Sequence, residues 1–269
     1  MLPLRPGPSD DRDEARIARI VEIVETVVQP YFRAQVRGAA RPPDGPALYV
    51  GNHNAGLLAP EAFLFGAAMY RAHGLAGVPF FLAGDLVVDL PVLKQLAVPL
   101  GAVRARHGTA ERLLAQGDRV FVYPGGDLES MRAFRDRDRI VFGGRRGYVR
   151  LAVRTGVPVV PVVTAGAHAT CVVLDDGSRL VSLLRLDRLL RVKTWPITLC
   201  LPWGLLVGPA LLHFPWPTRI LQEILEPIRF GRSGDAAAAD DAYVRACAGQ
   251  VEATMQAALT RLAAERAAS

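Results

Sequence analysis

The sequence predicts an α/β fold: a single layered domain with a mixed, largely parallel central sheet flanked by helices, to which an apolar interfacial hairpin is added. Three observations predict it. Short β-rich runs alternate with helical stretches through the middle of the chain. Hydrophobic residues make up 51% of the 269 positions and charged residues 22%, which is ample material for a buried core and excludes a disordered polyelectrolyte. Glycine-bearing turns follow two of the strand-like runs, at the strand ends where such folds gather their active groups.

Taken in order, residues 1–12 read as a flexible leader rich in Pro, Asp and Arg, without the apolar core of a signal peptide. The main domain spans 13–230. It opens with a helix over Asp13 to Phe32, whose stripe of Ile17, Ile20, Val21, Val24, Val27 and Val28 faces either the core or a membrane surface. The bridge Arg41 to Pro46 launches a strand at Ala47 to Val50, and a helical pattern follows from about Glu61 to Tyr70. Pro79 to Ala83, Arg119 to Tyr123 and Val157 to Val163 read as buried strands, with helices near Leu90 to Leu96, Thr109 to Gln116 and Tyr148 to Thr155. Residues 194–218 carry no charge but are interrupted by five prolines, which argues against an unbroken transmembrane helix. With Trp195, Trp203 and Trp216, and with Arg185, Arg188, Arg191 and Lys193 just upstream, this segment reads as a membrane-facing hairpin; a proline-rich lid on the core is the alternative. Ile220 to Phe230 forms a last strand or strand pair, 231–241 a small-residue linker, and 242–269 a C-terminal amphipathic helix with Val244, Val251, Met255, Leu259 and Leu262 on one side.

The net charge of +6 comes almost wholly from arginine, since Lys94 and Lys193 are the only lysines. A basic protein meets anionic partners such as phospholipid head groups or phosphorylated substrates. Nucleic acid is not expected, because no zinc finger, RNP-like motif or helix-turn-helix cue occurs. Cys171, Cys200 and Cys247 are odd in number and widely spaced; they suggest no disulfide framework and no metal site, and fit a reducing cytoplasmic setting.

Four segments carry chemistry. Asn52-His53 places one imidazole where a strand meets a helix, and a neutral imidazole can take a proton from a hydroxyl as a general base. Gly101 to Arg106 presents Arg104 and Arg106, which suit a phosphate or carboxylate. Tyr123-Pro124-Gly125-Gly126-Asp127-Leu128-Glu129 lets backbone N–H groups approach a ligand. Val157 to Val162 is a buried strand bearing Pro158 and Pro161. No G-x-S-x-G elbow, P-loop or dinucleotide fingerprint is present, so neither a serine hydrolase nor a nucleotide enzyme is indicated.

In their order and spacing these blocks resemble the glycerolipid and lysophospholipid acyltransferases, particularly the branch that also looks like diacylglycerol acyltransferases, from about Tyr31 to Phe230. The resemblance implies that His53 deprotonates an acceptor hydroxyl for direct attack on an acyl thioester, with acyl-CoA or an acyl carrier protein as co-substrate and no bound cofactor. It implies that Asn52, Arg104, Arg106, Pro124, Gly125, Gly126, Asp127 and Glu129 surround the acceptor or the carrier phosphate. It also implies a glycerolipid acceptor at a membrane surface, approached from the cytoplasm at the inner face. The usual histidine block has an aspartate five residues after the base, where this chain has Leu58. The nearest downstream acid, Glu61, either orients the imidazole as a triad carboxylate does or serves only as a first-turn helix acid; Asp85, Asp127 and Glu129 are other potential partners. A non-catalytic lipid-binding protein on the same scaffold is the competing function. The sequence sets no oligomeric state.

Overall fold

The structure is a computed structural model that describes residues 11–54, 59–177, 196–208 and 213–268. Its centre is a seven-stranded sheet of β1 (Gln35–Arg37), β2 (Ala47–Gly51), β3 (Phe80–Ala83), β4 (Ala102–Arg104), β5 (Arg119–Val122), β6 (Val159–Ala165) and β10 (Leu221–Ile224). The spatial order is β1-β10-β6-β2-β5-β3-β4. β6, β2, β5, β3 and β4 run parallel, whereas β10 is antiparallel to β6 and carries β1 alongside it. The sheet is therefore mixed and largely parallel. β2 and β6 are buried at every residue, which is why they read as continuous apolar runs rather than alternating ones.

Helices cover both faces. α1 (Glu14–Ile23), capped by the Asp13 carboxylate, runs into a π-helical turn at Val24–Val28 and packs Ile17, Val21 and Val24 with Leu64 and Ala67 of α2 (Pro60–His73). The predicted stripe thus faces the core at those three positions, while Ile23 and Val27 stay exposed. The short helices α3 (Asp85–Asp89) and α4 (Pro91–Ala97) lead into β4, and α5 (His107–Ala115) leads into β5. α6 (Gly126–Ser130) and α7 (Gly147–Thr155) follow.

The C-terminal region differs from expectation at one point. Within the expected linker 231–241, Asp235–Ala239 is a helix, α8, whose Ala237 and Ala238 are buried against α7; alanine, the best helix former, lets the two backbones approach closely. α9 (Asp241–Ala267), N-capped by Asp240, is the amphipathic helix expected over 242–269, and its apolar side forms a layer of the core. It buries Val244, Val251, Met255, Leu259 and Leu262 in the same cluster as Val159, Val163 and Leu221 of the sheet.

Residues 196–208 form no helix. β8 (Ile197–Cys200) and β9 (Gly204–Val207) make an antiparallel sheet with β7 (Val172–Asp175), over a small core of Cys171, Val173 and Cys200. The opposite side leaves Leu199, Leu205 and Val207 exposed, with Trp203 and Phe214 exposed nearby. The expected basic residues Arg185 to Lys193, with Trp195, lie outside the described residues. Among the described residues no helix is long and apolar enough to cross a membrane.

Candidate active site

β2 delivers the chain to the carboxyl edge of the sheet and ends at Gly51. A side chain there would come within 2.6 Å of the Phe121 ring and 2.7 Å of the Tyr123 ring, so glycine lets these aromatics pack under the turn. Asn52 is buried and its amide closes a reciprocal pair with Thr164 at the end of β6: Nδ2 donates to the Thr164 carbonyl at 2.9 Å, and Oδ1 accepts the Thr164 N–H at 2.8 Å. His53 follows on this pinned platform.

His53 is held through both its ring and its backbone. Tyr123 stacks on it at a centroid distance of 4.5 Å and an interplanar angle of 17°. The His53 N–H donates to Glu129 Oε2 at 2.9 Å, and its carbonyl accepts from Arg132 at 2.8 Å. Glu61 Oε1 lies 3.3 Å from Nδ1. The Asn54 N–H lies 3.1 Å from Nδ1 and 3.2 Å from Glu61 Oε1, so it has a choice of acceptor. When Nδ1 carries the proton and donates to Glu61, the Asn54 N–H turns to the same carboxylate, and Nε2 keeps its lone pair. Nε2 has no protein partner among the described residues, and the side chain is 21% exposed.

Leu58 lies outside the described residues, and the acid within reach of the ring is Glu61. It sits in the first turn of α2, just after Pro60, and is wholly buried. The preceding Ala59 takes a left-handed conformation (φ +40°), a strained state for a residue with a Cβ, and turns the chain so that the helix starts with its acid toward His53. Gln222 of β10 donates to the Glu61 carbonyl at 3.0 Å and to the Thr164 hydroxyl at 2.9 Å, which locks the acid to the strand that holds Asn52.

Glu129 lies beneath the loop rather than on its wall. It is fully buried, and its second oxygen accepts the Val141 N–H at 3.2 Å. Burial pushes its pKa up to about 7, against the opposing pull of Arg132 and the two backbone donors. Gly125 makes this placement possible: a Cβ there would fall 2.4 Å from Glu129 Cβ and 2.6 Å from the Val141 carbonyl. The buried Arg132, which sequence reasoning missed, also donates to the carbonyls of Glu129, Asp136 and Arg137 and so ties the loops together. Its only sequence signal is the i, i+3 spacing from Glu129.

Several expected ligand contacts take other positions. Asn52 and Glu129 are buried and hydrogen-bonded to backbone partners. Arg104 ion-pairs with both Asp85 and Asp89, so its guanidinium is already neutralised, and Asp85 is a partner of Arg104 rather than of His53. β4 is three strands from β2, about 14 Å at ordinary strand spacing. Arg106 is exposed at the start of α5. Asp127 pairs with Arg145 at 2.6 Å, and Arg145 also donates to the Gly125 carbonyl at 2.8 Å, so this arginine clamps the Pro124-Gly125-Gly126 turn. His168 is buried behind the site, and its Nε2 lies 2.9 Å from the Arg132 carbonyl. Tyr123 Oη, Asn54 Oδ1 and Glu61 Oε2 are buried without a hydrogen-bond partner among the described residues; such atoms are rare in folded interiors, and these three belong to residues around one imidazole. Among the described residues no group of His, Cys, Asp or Glu is arranged to hold a metal ion.

Residues 33–165, which hold the His53–Glu61 pair and the Pro124-Gly125-Gly126 turn, match the protein-family model described as Acyltransferase. The chain carries an acyltransferase-family domain. Its similarity to Uncharacterized protein Rv0502 of Mycobacterium tuberculosis (strain H37Rv) is 35% identity over 237 residues, 88% of this chain and 63% of that protein. Diacylglycerol O-acyltransferase 2 of Homo sapiens is 26% identical over 161 residues, 49% of this chain and 40% of that one. The chain thus spans less than two thirds of the length of these curated relatives. The acyltransferase fold is shared with the crystal structure of the 1-acyl-sn-glycerophosphate (LPA) acyltransferase, PlsC, from Thermotoga maritima, with a TM-score of 0.52 and 17% identity, covering 92% of this chain and 82% of that chain.

Proposed function

We propose that this acyltransferase moves a fatty acyl group from an acyl thioester, carried by coenzyme A or an acyl carrier protein, to a hydroxyl of a lysophospholipid or other glycerolipid. His53 Nε2 takes the proton of the acceptor hydroxyl as the oxygen forms its bond to the thioester carbonyl carbon. The tetrahedral adduct expels the thiolate, which recovers that proton from the imidazolium. Glu61 fixes the Nδ1–H tautomer and stabilises the imidazolium between the two steps. No covalent acyl-enzyme is required. The observation that carries this reading is the 3.3 Å approach of the buried Glu61 carboxylate to His53 Nδ1. A non-catalytic lipid-binding protein on the same scaffold is the second reading, and the carboxylate in orienting range of the imidazole favours the enzyme over it.

The cytoplasmic face of a membrane is the proposed setting, with the lipid acceptor drawn from the bilayer. Support comes from the exposed apolar face of the β7–β9 sheet. The test is incubation of the purified protein with labelled acyl-CoA and a panel of lysophospholipid, monoacylglycerol and diacylglycerol acceptors. His53→Ala is expected to lower transfer about 10²- to 10⁴-fold, the usual range for a general base. Glu61→Gln is expected to lower kcat about 10²-fold or more, with little change in KM. Unaltered transfer by either variant, or an acyl group found covalently on Cys171 or a serine, overturns the mechanism.

A further inference from the structure

The β1–β10 flank of the same sheet edge carries a polar feature that acyl-transfer chemistry leaves unused. β10 runs against β6 with Leu221 opposite Ala165, so Thr218 and Arg219 lie just past the carboxyl end of β6, the edge at which His53 leaves β2. β1 pairs Gln35 with Leu221 and brings Arg33 to that edge as well. The last turn of α9 supplies Arg266, whose guanidinium donates to the Arg219 carbonyl at 2.8 Å and to the Thr218 hydroxyl at 2.7 Å. These four residues and Pro217 line a cavity of about 310 Å³. β10 is two strands from β2, about 10 Å, a span that one extended substrate can cover.

Three details mark a built site. Gly166, immediately after β6, has φ +92°, and a Cβ there would fall 2.1 Å from the Arg219 carbonyl and 2.7 Å from Arg266 Nε. Its bareness is what admits these groups beside His168. Arg33 has φ +44°; the only other non-glycine residue with positive φ among the described residues is Ala59, at the His53–Glu61 pair. Backbone strain of this kind gathers at ligand clamps and active sites. The third detail is charge. Arg33 and Arg219 form no ion pair among the described residues, and Arg137 adds further positive field at Arg266. The carboxylates facing the cluster are Asp138, acting on Arg266, and Glu265, acting on Arg219, and Glu265 is already held by Arg37 through two hydrogen bonds. Burial presses the Arg266 pKa downward, Asp138 opposes it, and the neighbouring Arg137 and Arg33 add to the lowering.

We propose that Arg33, Arg219 and Arg266 form a binding site for the phosphate group of the substrate that occupies His53, whether that phosphate belongs to the acyl carrier or to a glycerolipid head group. The naming of these two sources rests on the proposed acyl transfer; the site itself rests on the cavity and its cations. Guanidinium groups bind phosphate through paired, charge-assisted hydrogen bonds, and three of them around one cavity suit a doubly charged phosphate. Arg104, the arginine that the sequence favours for this task, is instead bound by two aspartates on the opposite flank.

Calorimetric titration of the full chain with coenzyme A and with glycerol 3-phosphate tests this, repeated for Arg33→Gly, which suits the left-handed backbone, for Arg219→Gln, and for Glu111→Gln, a surface change on α5 away from the cavity. At least one probe is expected to bind, with affinity at least tenfold weaker in the two arginine variants and unchanged in Glu111→Gln. Weakening confined to coenzyme A assigns the phosphate to the carrier; weakening confined to glycerol 3-phosphate assigns it to the acceptor. Binding that ignores both arginine substitutions overturns the site, as does failure of both probes to bind the wild type. Because the readout is binding, a protein that lacks acyl transfer but titrates as expected would refute the enzymatic reading alone.

Discussion

Asn52 shows how much of this site depends on a side chain that touches no reacting atom. Its amide replaces one rung of backbone pairing with Thr164, and so fixes where the next residue points. Asn52→Ala leaves a buried N–H and a buried carbonyl without partners and is expected to cost about 2–3 kcal/mol, read as a shift in the urea midpoint. A loss below about 0.5 kcal/mol would mean that the platform is held by other contacts. His53 is legible in the sequence, with Glu61 open between two roles, because strand, turn and helix start lie close together along the chain. Gln222, Arg132 and Thr164 are not, because their contacts join segments up to 161 residues apart that only the tertiary fold brings together. Arg104 misled for a related reason. A sequence displays a guanidinium but not the two carboxylates that fold against it.

Among the elements, the long parallel strands were the easiest to read, since burial on both faces writes continuous Val-rich runs. β4, with three residues, and the β7–β9 sheet were not recognised as strands. In the latter, Pro196 and Pro202 bracket β8 and mask its alternation, although Leu199 stands directly opposite Leu205 and Ile197 opposite Val207. The result is a small sheet that turns aliphatic side chains outward. If this is the membrane-docking face, Leu205→Asp with Val207→Asp is expected to abolish co-sedimentation with anionic phosphatidylglycerol vesicles while leaving thermal unfolding nearly unchanged, because both residues are more than half exposed. Equal sedimentation of the variant would send the search for a docking surface to Ile23, Val27 and Tyr31 of the N-terminal helical segment.

At the scale of the whole molecule, acid should loosen the fold through His168. Burial holds its pKa down to about 3, from an ordinary 6.5, with the nearby Arg132 adding to the shift. The unfolded chain therefore binds a proton that the folded one refuses. Stability from this group is complete above pH 6.5 and is lost as pH falls toward 3, by an amount on the order of 4 kcal/mol. Glu129 acts in the opposite sense: its pKa is raised, so its contribution is intact below pH 4.5 and lost as pH rises through about 7. His168→Gln keeps the bond to the Arg132 carbonyl and should flatten only the acid limb, measured by urea unfolding from pH 7 to pH 4. Parallel profiles for the two proteins would show that the imidazole is not buried in its neutral form. The reversed strand β10 has a further consequence, felt during synthesis. β6 is complete at residue 165, but the strand that covers its edge begins at 221 and the helix that covers its face runs on past Leu262. At ordinary ribosomal speed the valine-rich strand stands with a bare edge for about 3–12 s and with a bare face for about 5–20 s. A nascent chain paused in that interval is the form most exposed to aggregation and most in need of a chaperone.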